Sequence, residues 1–259
     1  KIINNITGLG TVFIHKNFVS YIVKFLYQIS QPFAYKILCQ NEDDFEIFLS
    51  LGGIKKDQLQ LVPGSGVDIK KFFPVKKYYE KDHKYTFIYI GRILADKGLR
   101  ELVSAVKILN QNKILCKLHL YGPFDLDNVS SIAIEEIKRW ERIPGVTYKG
   151  ITNSPHLELQ KSDCVVLPSY REGMPRSLLE AGAMGLPSLT TNVPGCRHII
   201  QHNFNGILCE PKNIDSLCHA MSEMIRTPLQ DQIIMGKRAR EIVVKNYNEQ
   251  KLIDLTLKN

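Results

Sequence analysis

Two glutamates eight positions apart form the clearest chemical pattern in the sequence. Glu172 and Glu180 both lie in the stretch from Leu167 to Glu180, which reads Leu-Pro-Ser-Tyr-Arg-Glu-Gly-Met-Pro-Arg-Ser-Leu-Leu-Glu. A helical rise of about 1.5 Å per residue plus a loop predicts that the two carboxylates are roughly 10 Å or more apart. That separation is loose for a nucleophile and an acid that act at one bond. It suits two carboxylates that bind hydroxyl groups on opposite sides of a diphosphate. One would bind a sugar and the other a ribose.

A helix is predicted to begin between these glutamates at Pro175, whose fixed φ and missing N–H suit the first helical position. Neither Gly173 nor Met174 has a side-chain oxygen that could cap this helix. The backbone amides that are left free belong to Arg176, Ser177 and Leu178. Free amides and the positive end of the helix dipole together favour an anion, so the pattern predicts a phosphate site here.

A second group of candidate residues follows the predicted strand that ends at Ile90. Gly91 permits a sharp exit from that strand, Arg92 can fork onto phosphate oxygens, and Lys97 supplies a positive charge at the start of the next helix. Taken alone, this pattern fits a solvated charged loop equally well. Because both groups follow parallel strands, whose carboxyl ends meet at one edge of an open α/β sheet, we expect them to converge on one crevice.

Short apolar runs alternate with amphipathic helical patterns after Tyr85, which is typical of a parallel sheet covered by helices on both faces. The predicted strands are Thr86–Ile90, Lys117–Tyr121, Val146–Lys149, Cys164–Leu167, Ser188–Thr191 and Gly206–Cys209. The predicted helices are Leu99–Leu109, Ser130–Trp140, one from Pro175 to Met184, Ile214–Ile225, Leu229–Asn246 and a short one near the C-terminus. The predicted fold class is therefore α/β, with a doubly wound, Rossmann-like parallel sheet.

The first 65 residues hold fewer elements. A strand at Ile37–Gln40, a helix at Asp43–Leu51 and a strand at Gln60–Val62 are too few for a complete doubly wound domain. Pro63-Gly-Ser-Gly66 then interrupts the pattern as a hinge between domains would. We therefore expect residues 1–65 to be the remnant of a first domain plus the hinge, and residues 66–259 to be a second domain.

Composition favours a globular protein with a polyanionic partner. Of the 259 residues, 44% are hydrophobic and 23% are charged, and the formal net charge is +8. Nucleic acid, an anionic membrane or a phosphate-bearing ligand would each suit this charge. Scattered lysines, a single tryptophan at Trp140 and the lack of a recognised nucleic-acid module argue against nucleic acid.

The segment from Lys1 to Asn41 is basic and aromatic and contains no acidic residue. Its lysines and aromatic residues are Lys1, Lys16, Lys24, Lys36, Phe13, Phe18, Tyr21, Phe25, Tyr27, Phe33 and Tyr35. A half-buried helix of a truncated domain is the favoured interpretation, and peripheral contact with an anionic bilayer is the alternative. Polar and charged residues interrupt the segment before it reaches a bilayer-spanning length.

Cysteine usage favours reduced thiols in a cytosolic protein, because none of the six cysteines forms a Cys-x-x-Cys pair. Four residues have side chains that could ligate zinc: Cys196, His198, His202 and Cys209. Their spacing matches no standard zinc site, so we expect no metal there.

Together these motifs resemble family 4 glycosyltransferases, which have the GT-B fold. The family's hallmark Glu-x7-Glu element corresponds to Glu172 and Glu180. Supporting matches are Pro63-Gly-Ser-Gly-Val-Asp68, Gly91-Arg92 with Lys97-Gly98, Leu167-Pro-Ser169, Glu180-Ala-Gly-Ala-Met-Gly-Leu-Pro187, Val193-Pro-Gly195 and Asn205-Gly206. The similarity is close from Gly64 to Arg226, and it is greatest to bacterial enzymes that build capsule, O-antigen and related surface glycans.

The resemblance implies transfer of a sugar, with retention of configuration, from a nucleotide sugar to a glycan or a polyprenyl-diphosphate-linked sugar. UDP is the default nucleotide, and the expected location is cytoplasmic, with the inner face of the plasma membrane as a peripheral site. By resemblance, Arg92 and Lys97 neutralise the departing diphosphate together with the amides after Gly173, while Glu172 holds the donor sugar and Glu180 the ribose. The nucleotide pocket is implied at Tyr121, Gly122, Gly150 and Ile151. No metal ion or cofactor is expected, because cationic side chains do the electrostatic work of an ion on the leaving group. The resemblance implies a front-face mechanism, which has no protein nucleophile, and no nucleic-acid partner is expected.

The family's first domain normally opens with a glycine-rich loop and supplies a catalytic histidine. Here Ile6-Thr-Gly-Leu-Gly10 resembles the end of that domain, and His15 matches no position of the histidine. We therefore expect most of the acceptor domain to be absent, the last helix to cross back toward it, and the chain by itself to bind donor weakly or to be inactive.

Three alternatives have different signatures. A nucleotide-sugar epimerase of the same fold would be separated by its products, and a nucleic-acid-binding protein by salt-dependent oligonucleotide binding that UDP does not affect. A dinucleotide oxidoreductase would need a Gly-x-Gly-x-x-Gly turn after a strand, which the sequence lacks.

Overall fold

Nine parallel strands in two separate sheets organise the chain in a computed structural model that describes residues 1–10, 18–75 and 83–257. The first sheet has the order β1-β2-β3, and the second has the order β6-β5-β4-β7-β8-β9. The strands are β1 (Ile3–Ile6), β2 (Lys36–Cys39), β3 (Leu59–Leu61), β4 (Tyr85–Ile90), β5 (Cys116–Tyr121), β6 (Val146–Tyr148), β7 (Cys164–Leu167), β8 (Ser188–Thr191) and β9 (Gly206–Cys209). This architecture confirms the predicted α/β class with Rossmann-like parallel sheets.

The six-stranded sheet is the one that the apolar runs predict. Its strands start and end within one residue of the predicted bounds, and β7, β8 and β9 match them. Phe87, Tyr89 and Val165 are fully buried because helices cover both faces of the sheet. The order reverses between β4 and β7, so the carboxyl ends of these two strands form the switch point at which such sheets bind ligands.

Helices flank both sheets. They are α1 (Phe18–Ser30), α2 (Glu42–Ser50), α3 (Leu99–Gln111), α4 (Ile134–Trp140), α5 (Pro155–Gln160), α6 (Arg176–Ala183), α7 (Cys196–Ile199), α8 (Ile214–Arg226), α9 (Leu229–Asn246) and α10 (Glu249–Leu257). The predicted start of α4 at Ser130 is wrong. Ser130 instead accepts a hydrogen bond from the amide of Ala95 and, through its hydroxyl, one from the amide of Asp96, so it belongs to the loop beside β4.

The three-stranded sheet has its own small core, which includes Ile37, Phe48 and Leu59. Its strand β1 was not predicted, because Ile3-Asn-Asn-Ile6 offers little apolar pattern. Past β3, the chain passes residues 62–66 and reaches Val67, which exchanges two backbone hydrogen bonds with Tyr247 and Glu249 at 2.9 and 3.1 Å. The start of α10 therefore lies beside the link between the two sheets.

Helix α1 is present, but it is more exposed than the predicted half-buried helix. Its exposed apolar side chains are Phe18, Val19, Tyr21, Ile22, Phe25, Leu26 and Ile29. Phe13 and Lys16 of the predicted basic segment lie outside the described residues, as does His15. None of the helices in the three described ranges combines the length and the apolar character that a membrane span requires.

Candidate functional site

The helix start at which the anion site is predicted is present with a one-residue shift. Pro175 is the N-cap, with an extended ψ of 115°, and the helix begins at Arg176. No side chain caps this end, as predicted. The amide of Leu178 donates to the carbonyl of Pro175 at 3.2 Å, so the prediction that it is free is wrong. At a helix start the first two amides, here those of Arg176 and Ser177, have no acceptor within the helix.

Lys97 and Glu172 meet across the switch point. Lys97 ends a short 3-10 helix before α3, and its Nζ lies 2.6 Å from Glu172 Oε1. The Ser169 hydroxyl donates to the same oxygen at 2.6 Å. Both members of the ion pair are largely buried, with side chains 19% and 12% exposed. A cation and a hydrogen-bonding carboxylate thus stand together at the carboxyl end of β7.

Arg92 is anchored by residues that the sequence analysis did not single out. Its Nη1 lies 2.8 Å from Asp125 Oδ2, and Asn128 donates to that same carboxylate oxygen at 3.3 Å. The buried Tyr89 hydroxyl donates to the Arg92 carbonyl at 2.6 Å. Because the Arg92 side chain is 54% exposed, the guanidinium can reorient toward a ligand. The available signal was the group of polar residues Asp125, Asp127 and Asn128, which follows the predicted nucleotide residues Tyr121 and Gly122 after Pro123 and Phe124.

Glu180 is a buried carboxylate with one weak partner. Its side chain is 10% exposed, and the nearest cation is Arg176, 3.6 Å away. Burial raises the pKa of the Glu180 carboxyl, while the positive charges of Arg176 and Lys71 partly offset this effect. A buried carboxylate with spare acceptor capacity is suited to hydrogen bonds from ligand hydroxyls. Lys71 is a further residue that the sequence analysis did not single out.

The predicted nucleotide residues form a backbone-lined edge between β4, β5 and β6. The amide of Gly91 donates to Tyr121 O at 3.0 Å, and the amide of Gly122 donates to Gly150 O at 2.9 Å. A Cβ on Gly122 would lie 1.7 Å from Gly91 O, so only glycine fits there. Ile151 is 68% exposed at the end of this edge. Burial and a hydrogen bond to Glu158 raise the pKa of Tyr121 to about 12, so its hydroxyl is neutral.

A cavity of about 190 Å³ lies where the two sheets face each other. Its lining includes Thr7, Gly8, Arg92, Lys97, Glu172 and Gly173. Glu180 and the residues of the nucleotide edge lie outside this lining. The contribution of Thr7 and Gly8 was not predicted as a site feature, because it comes from the loop after the unpredicted strand β1. We call residues 170–174, which carry Glu172 and Gly173, the donor loop.

Within the described ranges, no group of three or more histidine, cysteine, aspartate or glutamate residues is arranged to hold a metal ion. Of the four residues that could ligate zinc, Cys196 and Cys209 are buried and His198 bonds Asp43 at 2.7 Å. His202 accepts a hydrogen bond from the amide of Leu208. Both histidines therefore have structural partners, and both cysteines are buried.

Comparison with known proteins agrees with the fold and the motifs. The family model described as "Glycosyl transferases group 1" matches residues 71–242. The chain belongs to this glycosyltransferase family, and its parallel sheets match the GT-B fold. Among solved structures, sucrose-phosphate synthase from Thermosynechococcus elongatus superposes with a TM-score of 0.84 at 21% identity, covering 99% of this chain and 66% of the synthase.

Two curated relatives act on lipid-linked sugars, as their names state. The N,N'-diacetylbacillosaminyl-diphospho-undecaprenol alpha-1,3-N-acetylgalactosaminyltransferase of Campylobacter jejuni is 30% identical over 98% of this chain and 70% of its own length. The UDP-Gal:alpha-D-GlcNAc-diphosphoundecaprenol alpha-1,3-galactosyltransferase of Escherichia coli is 27% identical over 90% of this chain and 62% of its own length. The chain thus spans about two thirds of the relatives it matches.

Proposed function

We propose that the protein transfers a hexosyl or N-acetylhexosaminyl group from a nucleotide-diphosphate sugar, with UDP as the nucleotide, to a polyprenyl-diphosphate-linked sugar or glycan. The reaction retains the anomeric configuration and serves the synthesis of a surface polysaccharide such as capsule or O-antigen. The observation that carries this proposal is the Lys97–Glu172 pair beside the uncapped start of α6. The names of both curated relatives support the acceptor class.

In this proposal Lys97 and Arg92 stabilise the diphosphate as it leaves. Negative charge grows on the leaving group during transfer, so fixed cations near it lower the barrier. The amides of Arg176 and Ser177 add the positive end of α6. Lys97 is already held in place by Glu172, so little reorganisation is needed when the donor binds. These cationic groups do the work of a metal ion, and the proposal includes no metal, cofactor or protein nucleophile.

Two carboxylates orient the donor. Glu172 accepts hydrogen bonds from the sugar hydroxyls, and Glu180 accepts them from the ribose. Glu180 suits this role because it is buried and because its ion-pair partner Arg176, at 3.6 Å, is too distant to form a hydrogen bond that would compete with a hydroxyl donor. The backbone of Gly150 and Ile151 contacts the base, and Tyr121 and Gly122 line its pocket.

The proposed division of labour follows the two sheets. Residues 66–259 bind the donor, and residues 1–65 are part of the acceptor domain and the hinge. The loop at Thr7 and Gly8 brings that domain to the cavity beside Glu172. The last helix, α10, begins next to the hinge and crosses back toward the acceptor domain, as the contacts of Val67 with Tyr247 and Glu249 suggest.

The finer location that we propose is peripheral, at the cytoplasmic face of an anionic membrane. Helix α1 exposes Phe18, Tyr21, Phe25 and Leu26 in a segment that carries lysines and no acidic residue. Aromatic side chains next to lysines favour the headgroup region of an anionic bilayer, where a polyprenyl-linked acceptor also lies. Nucleic acid is not part of the proposed function.

Cosedimentation with vesicles tests this location. Vesicles that contain phosphatidylglycerol should bind the chain, and purely zwitterionic vesicles should bind it less. Replacing Phe25 and Leu26 by serine should reduce binding, whereas the control Leu229→Ser, which changes an exposed leucine on α9, should not. Equal binding by the wild type, the double serine variant and Leu229→Ser would contradict the membrane contact. That result would instead agree with coverage of the exposed face of α1 by other polypeptide.

Thermal protection by UDP tests the proposed donor site. UDP should raise the melting temperature of the wild-type chain, because a ligand that binds only the folded state stabilises it. Glu180→Ala and Arg92→Ala should each remove most of this shift. The control is Arg100→Ala, because Arg100 and Arg92 are equally exposed and each pairs with a carboxylate at 2.8 Å, but Arg100 lies away from the cavity. Equal shifts in all four proteins would contradict the proposed site.

A further inference from the structure

Helix α2, which belongs to the first sheet, begins beside the donor loop. Asn41 caps this helix by accepting a hydrogen bond from the amide of Asp44 at 2.8 Å. The amide nitrogen of the same side chain donates to the carbonyl of Gly173 at 2.8 Å. Asn41 is buried, so both hydrogen bonds are shielded from water. One side chain therefore joins the start of α2 to the donor loop.

A buried ion pair makes a second connection between these segments. Asp44 Oδ1 accepts a hydrogen bond from Nη2 of Arg171, and Asp44 Oδ2 accepts one from Asn41 at 3.1 Å. The Asp44 side chain has no exposed surface, and that of Arg171 is 14% exposed. Removing one member of such a pair leaves an uncompensated buried charge, which is strongly unfavourable. The Arg171 side chain is therefore fixed by α2.

These two connections flank Glu172. Arg171 precedes it and is held through its side chain, while Gly173 follows it and is held through its carbonyl. The amide of Glu172 donates to the carbonyl of Pro194 at 3.3 Å, and its carboxylate meets Lys97. The position of the Glu172 carboxylate is thus set from both sides by groups outside the donor loop.

The adjacent carboxylate of α2 holds a second segment of the donor-binding part. Asp43 pairs with Arg197 and with Nε2 of His198, which lies 2.7 Å from its Oδ2. Burial alone would raise the pKa of Asp43, but the hydrogen bond from His198 and the charge of Arg197 outweigh burial and lower it. The first turn of α2 therefore binds both the donor loop and the start of α7.

Resting on the function proposed above, we infer that Asp44 is a positioning residue for the sugar donor: through Arg171 it holds Glu172 where the donor sugar binds. Asp44 does not line the cavity, whereas its partner Arg171 does, so Asp44 acts on the site through Arg171. Residues of both sheets therefore contribute to the position of Glu172, which binds the donor sugar. A change in the placement of α2, on the acceptor side, would move Glu172 on the donor side.

The test compares a variant that removes the pair with one that removes a remote pair. Asp44→Asn combined with Arg171→Gln deletes both charges, which avoids leaving one of them buried alone. Glu136→Gln is the control, because it breaks the Arg100–Glu136 pair at 2.8 Å, away from the cavity. Arg171→Lys keeps the cation but loses the planar fork, so it should show an intermediate effect.

Two readouts apply to these variants at a temperature well below their unfolding. Hydrogen–deuterium exchange should become roughly tenfold faster in the donor loop of the double variant and stay unchanged there in the control. Calorimetry should show roughly tenfold weaker binding of UDP-galactose and UDP-N-acetylgalactosamine, with a smaller loss for UDP itself, whose ribose and base do not contact Glu172.

The inference is overturned if donor-loop exchange in the double variant matches that of wild type, or if UDP and the UDP-sugars weaken equally. A wild-type chain that binds neither UDP nor a UDP-sugar would instead count against the proposed function. In that case the exchange rate of the donor loop, which needs no ligand, decides whether Asp44 fixes the loop.

Discussion

Replacing Gly173 with alanine should separate the donor loop from the loop after β1. A Cβ built on Gly173 lies 2.0 Å from the carbonyl oxygen of Thr7 and 3.0 Å from Oε1 of Gln40. Ordinary contact begins at 3.4 Å, so one backbone must move by about 1.4 Å. The Thr7 oxygen belongs to the main chain and cannot rotate away, as the end of a side chain could.

The expected loss of affinity follows from this displacement. A shift of this size is larger than the tolerance of a hydrogen bond between a backbone amide and a phosphate oxygen. Losing one charge-assisted hydrogen bond costs about 1.5–3 kcal/mol, which is roughly 10- to 150-fold in Kd. Calorimetric titration of UDP into wild-type and Gly173→Ala protein measures this change directly.

A matched control separates a local effect on binding from a loss of stability. Gly52→Ala adds the same methyl group at a φ of +77°, where the nearest atom, in the Gln28 side chain, is 3.6 Å away. The backbone strain costs about 1–2 kcal/mol of stability, but it should leave UDP affinity unchanged. If Gly173→Ala binds UDP as tightly as wild type, the donor loop does not contribute to the site as described.

Three further outcomes follow from other residues. Because burial raises the pKa of Glu180, acidification should weaken UDP binding from a higher pH than for an exposed glutamate. The reason is protonation of the carboxylate that we propose accepts hydrogen bonds from the ribose hydroxyls. Calorimetry across pH should show that Glu180→Gln loses this pH-dependent component. Asn213→Ala should lower the free energy of unfolding in urea by about 1 kcal/mol, because the Asn213 side chain caps α8. A thiol reagent at pH 8 should label Cys218 before Cys116, because the Cys218 thiol is only half-buried and burial raises the pKa of Cys116 to about 12. Mass spectrometry of the labelled protein measures this order.

The second sheet could be predicted from sequence because its strands are short, apolar and buried on both faces. The bounds of Cys164–Leu167 and Ser188–Thr191 follow directly from their apolar or β-rich runs and the polar residues or prolines around them. The amphipathic pattern likewise predicted α9 (Leu229–Asn246) with its observed bounds. Strand β1 was missed because two asparagines occupy half of it, and its pairing partner β2 lies far along the chain.

The chemistry of single motifs was also predictable, whereas contacts between distant segments were not. The sequence predicted the start of α6 to within one residue, because the effects of Pro175 and of the missing N-cap side chain depend only on neighbouring residues. The pairing of Asp44 with Arg171 joins residues 127 positions apart, and that of Asp43 with His198 joins residues 155 positions apart. No periodicity or spacing in the sequence encodes such pairs, since they depend on how the two sheets face each other.

A crystal structure of the chain with UDP is the most direct test of the central claim that the start of α6 binds the donor diphosphate. We expect the phosphate oxygens to lie within hydrogen-bond distance of Lys97 and of the amides of Arg176 and Ser177, and the ribose hydroxyls to donate hydrogen bonds to Glu180. Electron density for UDP elsewhere on the molecule, with this cleft empty, would contradict it.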